Sequence, residues 1–181
     1  QIFHLSKINR FNSDDRKFTI VTVSADYPHK NLKIITRIAK VLEPYEDIEF
    51  IVTTLGKNHY KNINYIGNVN ISDLPQLYAK SSVLLLPTLL ECFTATYLEA
   101  MISEIPIITT DLAFAKDLCG NAAIYCDALN PDDFAKNILS LYRSRDKAQK
   151  LIDNGKLIIK THPSSYDRMI QYQNIILNET N

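Results

Sequence analysis

The sequence has too few cysteines, at the wrong spacing, for a disulfide framework or a zinc site. Three cysteines occur among 181 residues, and they form neither a CxxC pair nor a Cys/His ligand pattern. Small secreted domains that depend on disulfides are much richer in cysteine. A reduced, cytosolic compartment is therefore favoured.

The sequence also lacks an excess of charge and long apolar runs. Lys and Arg together number 20, as do Asp and Glu, and no long block of like charge occurs. This balance argues against nucleic acid and against an anionic membrane surface as partners. The apolar runs reach about five residues, whereas a membrane-spanning helix requires roughly 20.

The composition that is present fits one soluble globular domain. The chain is 46% hydrophobic and 22% charged, and its length suits a single domain with a sizeable core. Residues 1–17 begin without an initiator Met and lack the layout of a signal peptide. We therefore expect residues 1–17 to be a linker from a missing N-terminal domain, and residues 18–181 to be the domain itself, terminal helices included.

Strand-like and helix-like segments alternate along the chain. Residues 18–24 are rich in β-branched residues and predict a buried strand, after which a polar turn leads into a helical pattern. Asn31 is predicted to be the N-cap of that helix, Ser72 the cap of the next, and residues 110–117 a loop. The predicted order, β-α-β-β-α-β-α-β-β-α-α-α, indicates an α/β fold with a Rossmann-like, doubly wound, mainly parallel sheet flanked by helices.

Residues 81–111 show the pattern of a βαβ crossover, with a strand, a loop, a helix and a second strand. Glu91 lies in the loop, and Glu99 follows eight positions later on the helix. In open parallel sheets, ligands bind in the crevice outside the carboxyl ends of the strands. The two carboxylates are therefore candidate site residues.

The run from Glu91 to Met101, ECFTATYLEAM, resembles the E-x7-E signature of retaining glycosyltransferases with the GT-B fold, the glycosyl transferases group 1 family. That signature is usually written EGFGxxxLEAM, and Cys92 and Thr94 replace its two glycines. Lys30-Asn31, residues 62–69 and residues 119–125 resemble further family segments in the same chain order. Glu104 stands where the family usually has a glycine at the helix end. The resemblance covers about residues 18–177 and implies the C-terminal, nucleotide-sugar-binding half of such an enzyme.

The resemblance also implies roles for individual residues. Glu91 would be the catalytic carboxylate, lying at the donor sugar and stabilising an oxocarbenium-like state. Glu99 would bind the ribose of the nucleotide. Ala25 occupies the position of the family's phosphate-binding arginine. His29 would partly substitute for that arginine. The remaining donor contacts would be Lys30 with Asn31 at the diphosphate, the amides of Phe93, Thr94 and Ala95 at the β-phosphate, and the backbone of Gly67, Asn68 and Val69 at the base.

Four of these residues have a purely structural alternative that the sequence leaves open. Lys30 is equally consistent with a solvated loop lysine, and Gly67 with a simple turn glycine. Thr96-x-x-Glu99 fits a capping box at a helix N-terminus, which needs no ligand. A solvated carboxylate in a loop is the alternative for Glu91.

The activity implied for the intact enzyme is transfer of a hexose, with retention, from a UDP- or GDP-linked sugar to an acceptor hydroxyl of a polysaccharide or glycolipid. No metal or cofactor is expected. The isolated domain would bind donor weakly and transfer nothing, and the full-length protein would be cytoplasmic, with peripheral membrane association through its missing half.

Three alternatives to this function are retained. One is a catalytically degenerate nucleotide-sugar-binding module, which the off-pattern Ala25, Cys92 and Thr94 favour. The second is another enzyme of the same fold, a nucleotide-sugar epimerase or a sugar phosphorylase. The third is a flavodoxin-like signalling domain, although Asp26 alone does not supply the acidic cluster expected after its first strand.

Overall fold

A single parallel sheet organises the chain. The computed structural model describes residues 17–56, 60–163 and 165–179. Six strands pair in the order β3-β2-β1-β4-β5-β6, and every pair is parallel. Their bounds are β1 Phe18–Thr22, β2 Ile48–Val52, β3 Ile63–Tyr65, β4 Val83–Leu86, β5 Ile107–Thr110 and β6 Ala123–Cys126. The predicted Rossmann-like α/β class is confirmed.

Helices connect the strands and extend the chain beyond the last strand. They are α1 Lys33–Val41, α2 Leu74–Lys80, α3 Ala95–Ile102, α4 Ala113–Cys119, α5 Pro131–Tyr142, α6 Arg145–Thr161 and α7 Ser165–Glu179. Short 3-10 turns occur at Pro28–Lys30, Ile71–Asp73 and Gly120–Ala122. In the part of the chain that the structure describes, none of the helices is long and apolar enough to cross a bilayer.

The core has two layers, one on each face of the sheet. Alternate residues of β4 belong to different layers: Val83 and Leu85 pack with α1 and α5, whereas Leu84 and Leu86 pack with α2, α3 and α4. All four are fully or almost fully buried. Strands covered on both faces read as continuous apolar runs, which is why β4 was recognisable in the sequence.

Helix α4 was not predicted, because residues 110–117 were expected to be a loop. The helix is short, and only Ala115 and Cys119 are buried along it. Apolar residues do recur at i and i+4 in this segment, as Phe114/Leu118 and Ala115/Cys119, but two pairs within seven residues are too short a pattern to distinguish a helix from a loop. The observed order therefore has a helix between β5 and β6.

Two predicted helix caps are also wrong. Helix α1 begins at Lys33 with Leu32 as its N-cap, and Asn31 instead ends the preceding 3-10 turn in the left-handed conformation, at φ 53°. Asparagine is one of the few non-glycine residues that adopt this conformation readily. Ser72 lies inside a 3-10 turn, and α2 begins after it at Leu74.

The C-terminus of α3 is closed by a Schellman motif centred on Glu104. The amide of Ile105 donates to the carbonyl of Ala100, and the amide of Glu104 donates to that of Met101. Glu104 has a φ of 55°, the left-handed conformation that usually selects glycine at this position. The position at which the family has a glycine therefore does require a left-handed residue.

The predicted domain boundary lies at the edge of the described residues. Lys17 precedes β1 without regular structure, and the remainder of the predicted linker, residues 1–16, lies outside them. The predicted terminal helices are present as α6 and α7.

Candidate functional site

The loops that follow β1 and β4 meet at the carboxyl edge of the sheet. These two strands are neighbours in the sheet but are separated in sequence by β2 and β3, so the chain order reverses between them. Such a reversal opens a crevice between the two loops, where ligands of this fold class bind. Lys30 comes from the first loop and Glu91 from the second.

Lys30 and Glu91 form an ion pair across this crevice. The Lys30 ammonium donates to Oε1 of Glu91, and the two side chains are only 18% and 10% exposed. A half-buried charge is costly unless an opposite charge compensates it. Two of the residues for which the family resemblance implied a role at the donor are thus in direct contact.

Asn31 joins three of the loops at this edge. Its side-chain amide donates to the carbonyl of Pro87 at 3.2 Å and to that of Ala128 at 2.9 Å. The backbone adds a further link, because the Leu89 amide donates to the His29 carbonyl at 2.7 Å. The imidazole of His29 stacks on Tyr27, with ring centroids 5.7 Å apart. Asn31 thus fixes the crevice walls rather than the start of α1.

The N-terminus of α3 opens into the same region. Thr94 is the N-cap residue, but its side chain makes no capping hydrogen bond. Among the described residues, none accepts a hydrogen bond from the amides of Phe93, Thr94 or Ala95. Free first-turn amides and the helix dipole together favour an anion.

The loop before α3 is built without glycine and without backbone strain. Thr94 has φ −129° and ψ 120°, and Cys92 is not among the described residues with positive φ. Ordinary extended dihedrals accept a Cβ, so the loss of the family's two glycines does not distort this backbone.

Glu99 is held by a tyrosine rather than by a capping box. The helix begins at Ala95, so Thr96 already lies inside it and the capping-box interpretation is wrong. The hydroxyl of Tyr78 donates to Oε2 of Glu99 at 2.7 Å. Burial raises the pKa of the Tyr78 phenol, and the Glu99 carboxylate raises it further. The phenol therefore remains a hydrogen-bond donor.

Residues 67–69 lie at the same edge, after β3. Gly67 is buried and has a φ of 74°, and its amide donates to the carbonyl of Thr54 at 3.2 Å. Asn68 is exposed, and Val69 packs against the core layer that contains Tyr78. The predicted turn glycine is thus present, and its φ explains the residue type.

A cavity of about 260 Å³ lies between the 91–94 loop and α4. It is lined by residues 91–94, by Tyr97 of α3, and by Phe114, Asp117 and Leu118 of α4. The last three were missed because α4 was not predicted, although Phe114 and Leu118 stand at helical spacing. The Tyr97 hydroxyl is hydrogen-bonded to Thr109 at 2.6 Å, and burial raises its pKa.

Helix α7, near the C-terminal end of the chain, contacts the loop of residues 91–94. The Arg168 guanidinium of α7 lies over the Phe93 ring, 5.5 Å from its centroid. It donates to Nε2 of His162 at 2.6 Å. Desolvation lowers the pKa of His162, and the positive charge of Arg168 adds to this effect. The sequence offered no signal for this contact, since the two segments are far apart in the chain.

Known proteins are similar to this chain in sequence and in fold. A family model described as glycosyl transferases group 1 matches residues 5–158. The O-antigen chain mannosyltransferase RfbU of Salmonella typhimurium is 24% identical over 143 residues, which cover 71% of this chain and 39% of that protein.

Solved structures give the same picture of the fold. Sucrose-phosphate synthase from Thermosynechococcus elongatus aligns with a TM-score of 0.77 at 12% identity, covering 92% of this chain and 46% of that one. HepE of Anabaena in complex with UDP and glucose aligns with a TM-score of 0.72 at 17% identity, covering 91% and 48%. The chain therefore spans less than half the length of each of these three proteins.

Proposed function

Because the chain belongs to the glycosyl transferases group 1 family, we propose that it is the nucleotide-sugar-binding half of a retaining hexosyltransferase. The observation that carries the proposal is the Lys30–Glu91 pair at the crevice between β1 and β4, beside the amides of residues 93–95, which have no acceptor among the described residues. A cation, a carboxylate and free amides are the groups that a diphosphate joined to a sugar requires.

The diphosphate would bind between Lys30 and the N-terminus of α3. The ammonium contributes a full positive charge, and the amides of Phe93, Thr94 and Ala95 contribute directed hydrogen bonds. A phosphate oxygen that binds Lys30 competes with Glu91 for the ammonium. Donor binding would therefore release the Glu91 carboxylate from its partner.

The released carboxylate would act at the sugar. Transfer with retention passes through a state in which positive charge develops at the anomeric carbon and ring oxygen. A carboxylate held nearby in a half-buried crevice stabilises that charge more strongly than one in water. We assign this role to Glu91.

Glu99 would bind the ribose. A carboxylate accepts hydrogen bonds from two neighbouring hydroxyls, and the Tyr78 hydrogen bond holds Glu99 in one orientation. Gly67, Asn68 and Val69 would contact the base through their backbone. His29, stacked on Tyr27, would supplement Lys30 at the phosphates. It would take the role of the family's arginine, whose position is occupied by Ala25.

The donor and acceptor classes come from the relatives. One relative is a mannosyltransferase of an O-antigen chain, and one structural neighbour was solved with UDP and glucose. We infer a UDP- or GDP-linked hexose as donor and a hydroxyl of a polysaccharide or glycolipid as acceptor. Since the chain spans 39% of the mannosyltransferase, we expect donor binding without transfer from this chain alone.

The second candidate is a binding module that has lost catalysis. The absence of an arginine at Ala25 favours it, because one of the two cations expected at the diphosphate is missing. The unstrained dihedrals of the 91–94 loop argue against it, since the substitutions at Cys92 and Thr94 leave the amide cradle intact.

Saturation-transfer NMR of the chain with UDP-, GDP- and ADP-sugars tests the proposal. We expect one nucleotide series to show saturation transfer to its ribose and base protons. Lys30→Ala should weaken this saturation-transfer signal. The control is Lys40→Ala, which removes an exposed lysine from the last turn of α1. Absence of transfer in all three series contradicts the proposed function.

A further inference from the structure

We propose that Asp117, in the wall of the cavity between the 91–94 loop and α4, selects the transferred sugar by binding its hydroxyls. This inference rests on the proposed function. It extends that function to a residue on an element that the family signature does not include.

The position of the cavity is the first argument. Its rim contains Phe93 and Thr94, whose amides form the anion site at the start of α3, and its wall contains Glu91. A group attached to the terminal phosphate through one oxygen has to lie directly beside these amides. The cavity adjoins both the amides and the carboxylate.

The size of the cavity is the second argument. Its volume is about 260 Å³, just below the range of roughly 300–1,000 Å³ typical of pockets for drug-sized ligands. A single monosaccharide fits this space, whereas a complete nucleotide sugar does not. The nucleotide would therefore lie outside the cavity, along the crevice toward Glu99.

The lining suits a sugar better than an ion. Phe93, Phe114 and Leu118 provide apolar surface for the C–H faces of a pyranose ring, and Asp117 provides two acceptor oxygens for hydroxyls. Among the residues that line the cavity, Asp117 and Glu91 are carboxylates and none is cationic, so an anion is disfavoured inside the cavity and favoured only at the amides on its rim. In the ligand-free chain Glu91 is paired with Lys30, so a divalent cation has no second free carboxylate there.

Asp117 is available for this role. Its side chain is exposed, and among the described residues no hydrogen bond or ion pair occupies its carboxylate. The neighbouring Lys116 is engaged elsewhere, in an ion pair with Asp111. Asp117 is thus a carboxylate in a cavity wall that the fold itself does not use.

The test compares free nucleotide diphosphates with nucleotide sugars by calorimetry. UDP is titrated against UDP-glucose, and GDP against GDP-mannose, into the wild-type chain and into Asp117→Asn. For the series that binds, we expect Asp117→Asn to lower the affinity for the sugar conjugate about three- to tenfold, the range of one net hydrogen bond. The affinity for the free diphosphate should stay unchanged.

Two further variants make the result specific. Phe114→Ala removes apolar wall and should also weaken the sugar conjugate alone, whereas Asp153→Asn removes an exposed acid of α6 and should change neither affinity. Thermal unfolding of each variant checks that the fold is intact. Equal effects of Asp117→Asn on the diphosphate and its sugar conjugate, or no effect on either, overturn the sugar subsite while leaving the proposed function in place. Failure of both diphosphates to bind the wild-type chain overturns both.

Discussion

The ammonium of Lys30 and the carboxylate of Glu91 are paired across the crevice, although 61 residues separate them in the sequence. Each charge lies in the region where the fold class binds ligands, and each is satisfied by the other. In the proposed function, a donor diphosphate would replace the Glu91 carboxylate as the anionic partner of Lys30. The pair therefore compensates both charges in the ligand-free chain, and the same two groups are the ones proposed to bind the donor.

Breaking this pair from one side should destabilise the chain. Lys30→Met leaves a carboxylate that is 10% exposed without its counter-ion, and we expect a loss of about 2 kcal/mol, below the range for fully buried pairs. Glu91→Gln should cost a similar amount. Urea unfolding measures both, and the double variant should recover part of the loss. Additive losses in the double variant would show that the pair makes no net contribution.

Tyr78→Phe should weaken the recognition of ribose without damaging the core. The substitution keeps the buried ring but removes the hydroxyl that donates to Glu99 at 2.7 Å, at a cost of about 1 kcal/mol in stability. We expect affinity for the ribonucleoside diphosphate to fall, and affinity for its 2′-deoxy analogue to change less.

Tyr142→Phe is the matched control for that experiment, because the Tyr142 hydroxyl is bonded to Asp47 at the opposite edge of the sheet. It should not alter the ratio of the two affinities. An unchanged ratio in Tyr78→Phe as well would remove Tyr78 from the description of the site.

Glu104→Gly should stabilise the chain. Glu104 occupies the left-handed conformation at φ 55°, which costs a non-glycine residue about 1 kcal/mol or more. The ion pair with Lys156, at 3.0 Å between exposed groups, offsets only a small part of this cost. Glu104→Ala keeps the strain and loses the pair, so it should be slightly destabilising. Urea unfolding measures both variants. An unfolding midpoint for Glu104→Gly that falls below that of Glu104→Ala would refute the strain argument.

Stability should decrease at alkaline pH through the buried thiols. Burial raises the pKa of Cys119 to about 12 and that of Cys126 to about 12, well above the ordinary range of a thiol. Above pH 9 the unfolded chain has released these protons while the folded chain retains them, so the free energy of unfolding falls as pH rises toward 12. Each thiol contributes up to about 1.4 kcal/mol per pH unit in this window.

Urea unfolding of the wild-type chain and of Cys119→Ala between pH 8 and pH 10 measures this contribution. The variant should be less stable at pH 8, because it loses buried volume, but its stability should fall less steeply with pH. Parallel pH profiles for the two chains would contradict the burial effect.

The sequence predicted most of the sheet because its strands are short runs rich in apolar and β-branched residues, of which β4 is continuously apolar and covered on both faces. The loops after parallel strands emerge at one edge of a sheet, and this predicted that Glu91 lies at a ligand crevice. The resemblance to the family implied that Lys30 lies near the same ligand. The direct pairing of Lys30 and Glu91 could not be predicted, since it depends on side-chain conformations in two separate loops.

The errors occurred where short-range patterns permitted two structures. Asn31 fits both an N-cap and a left-handed turn residue, and the carbonyls of Pro87 and Ala128, which come from distant loops, favour the turn. Glu99 fits a capping box only if its helix begins two residues later than it does. Asp117 was overlooked because α4 buries only two residues, so its periodicity was too weak to place Asp117 beside Glu91.

Calorimetric titration of the chain and of Lys30→Ala with UDP- and GDP-sugars tests the central claim most directly, with Lys40→Ala as the control. The account predicts that the wild-type chain and the control bind one donor series with equal affinity, and that Lys30→Ala binds it at least tenfold more weakly, since a charge-assisted contact contributes about 1.5–3 kcal/mol. Equal affinity of Lys30→Ala and the wild-type chain for that donor would contradict the assignment of the crevice as the donor site.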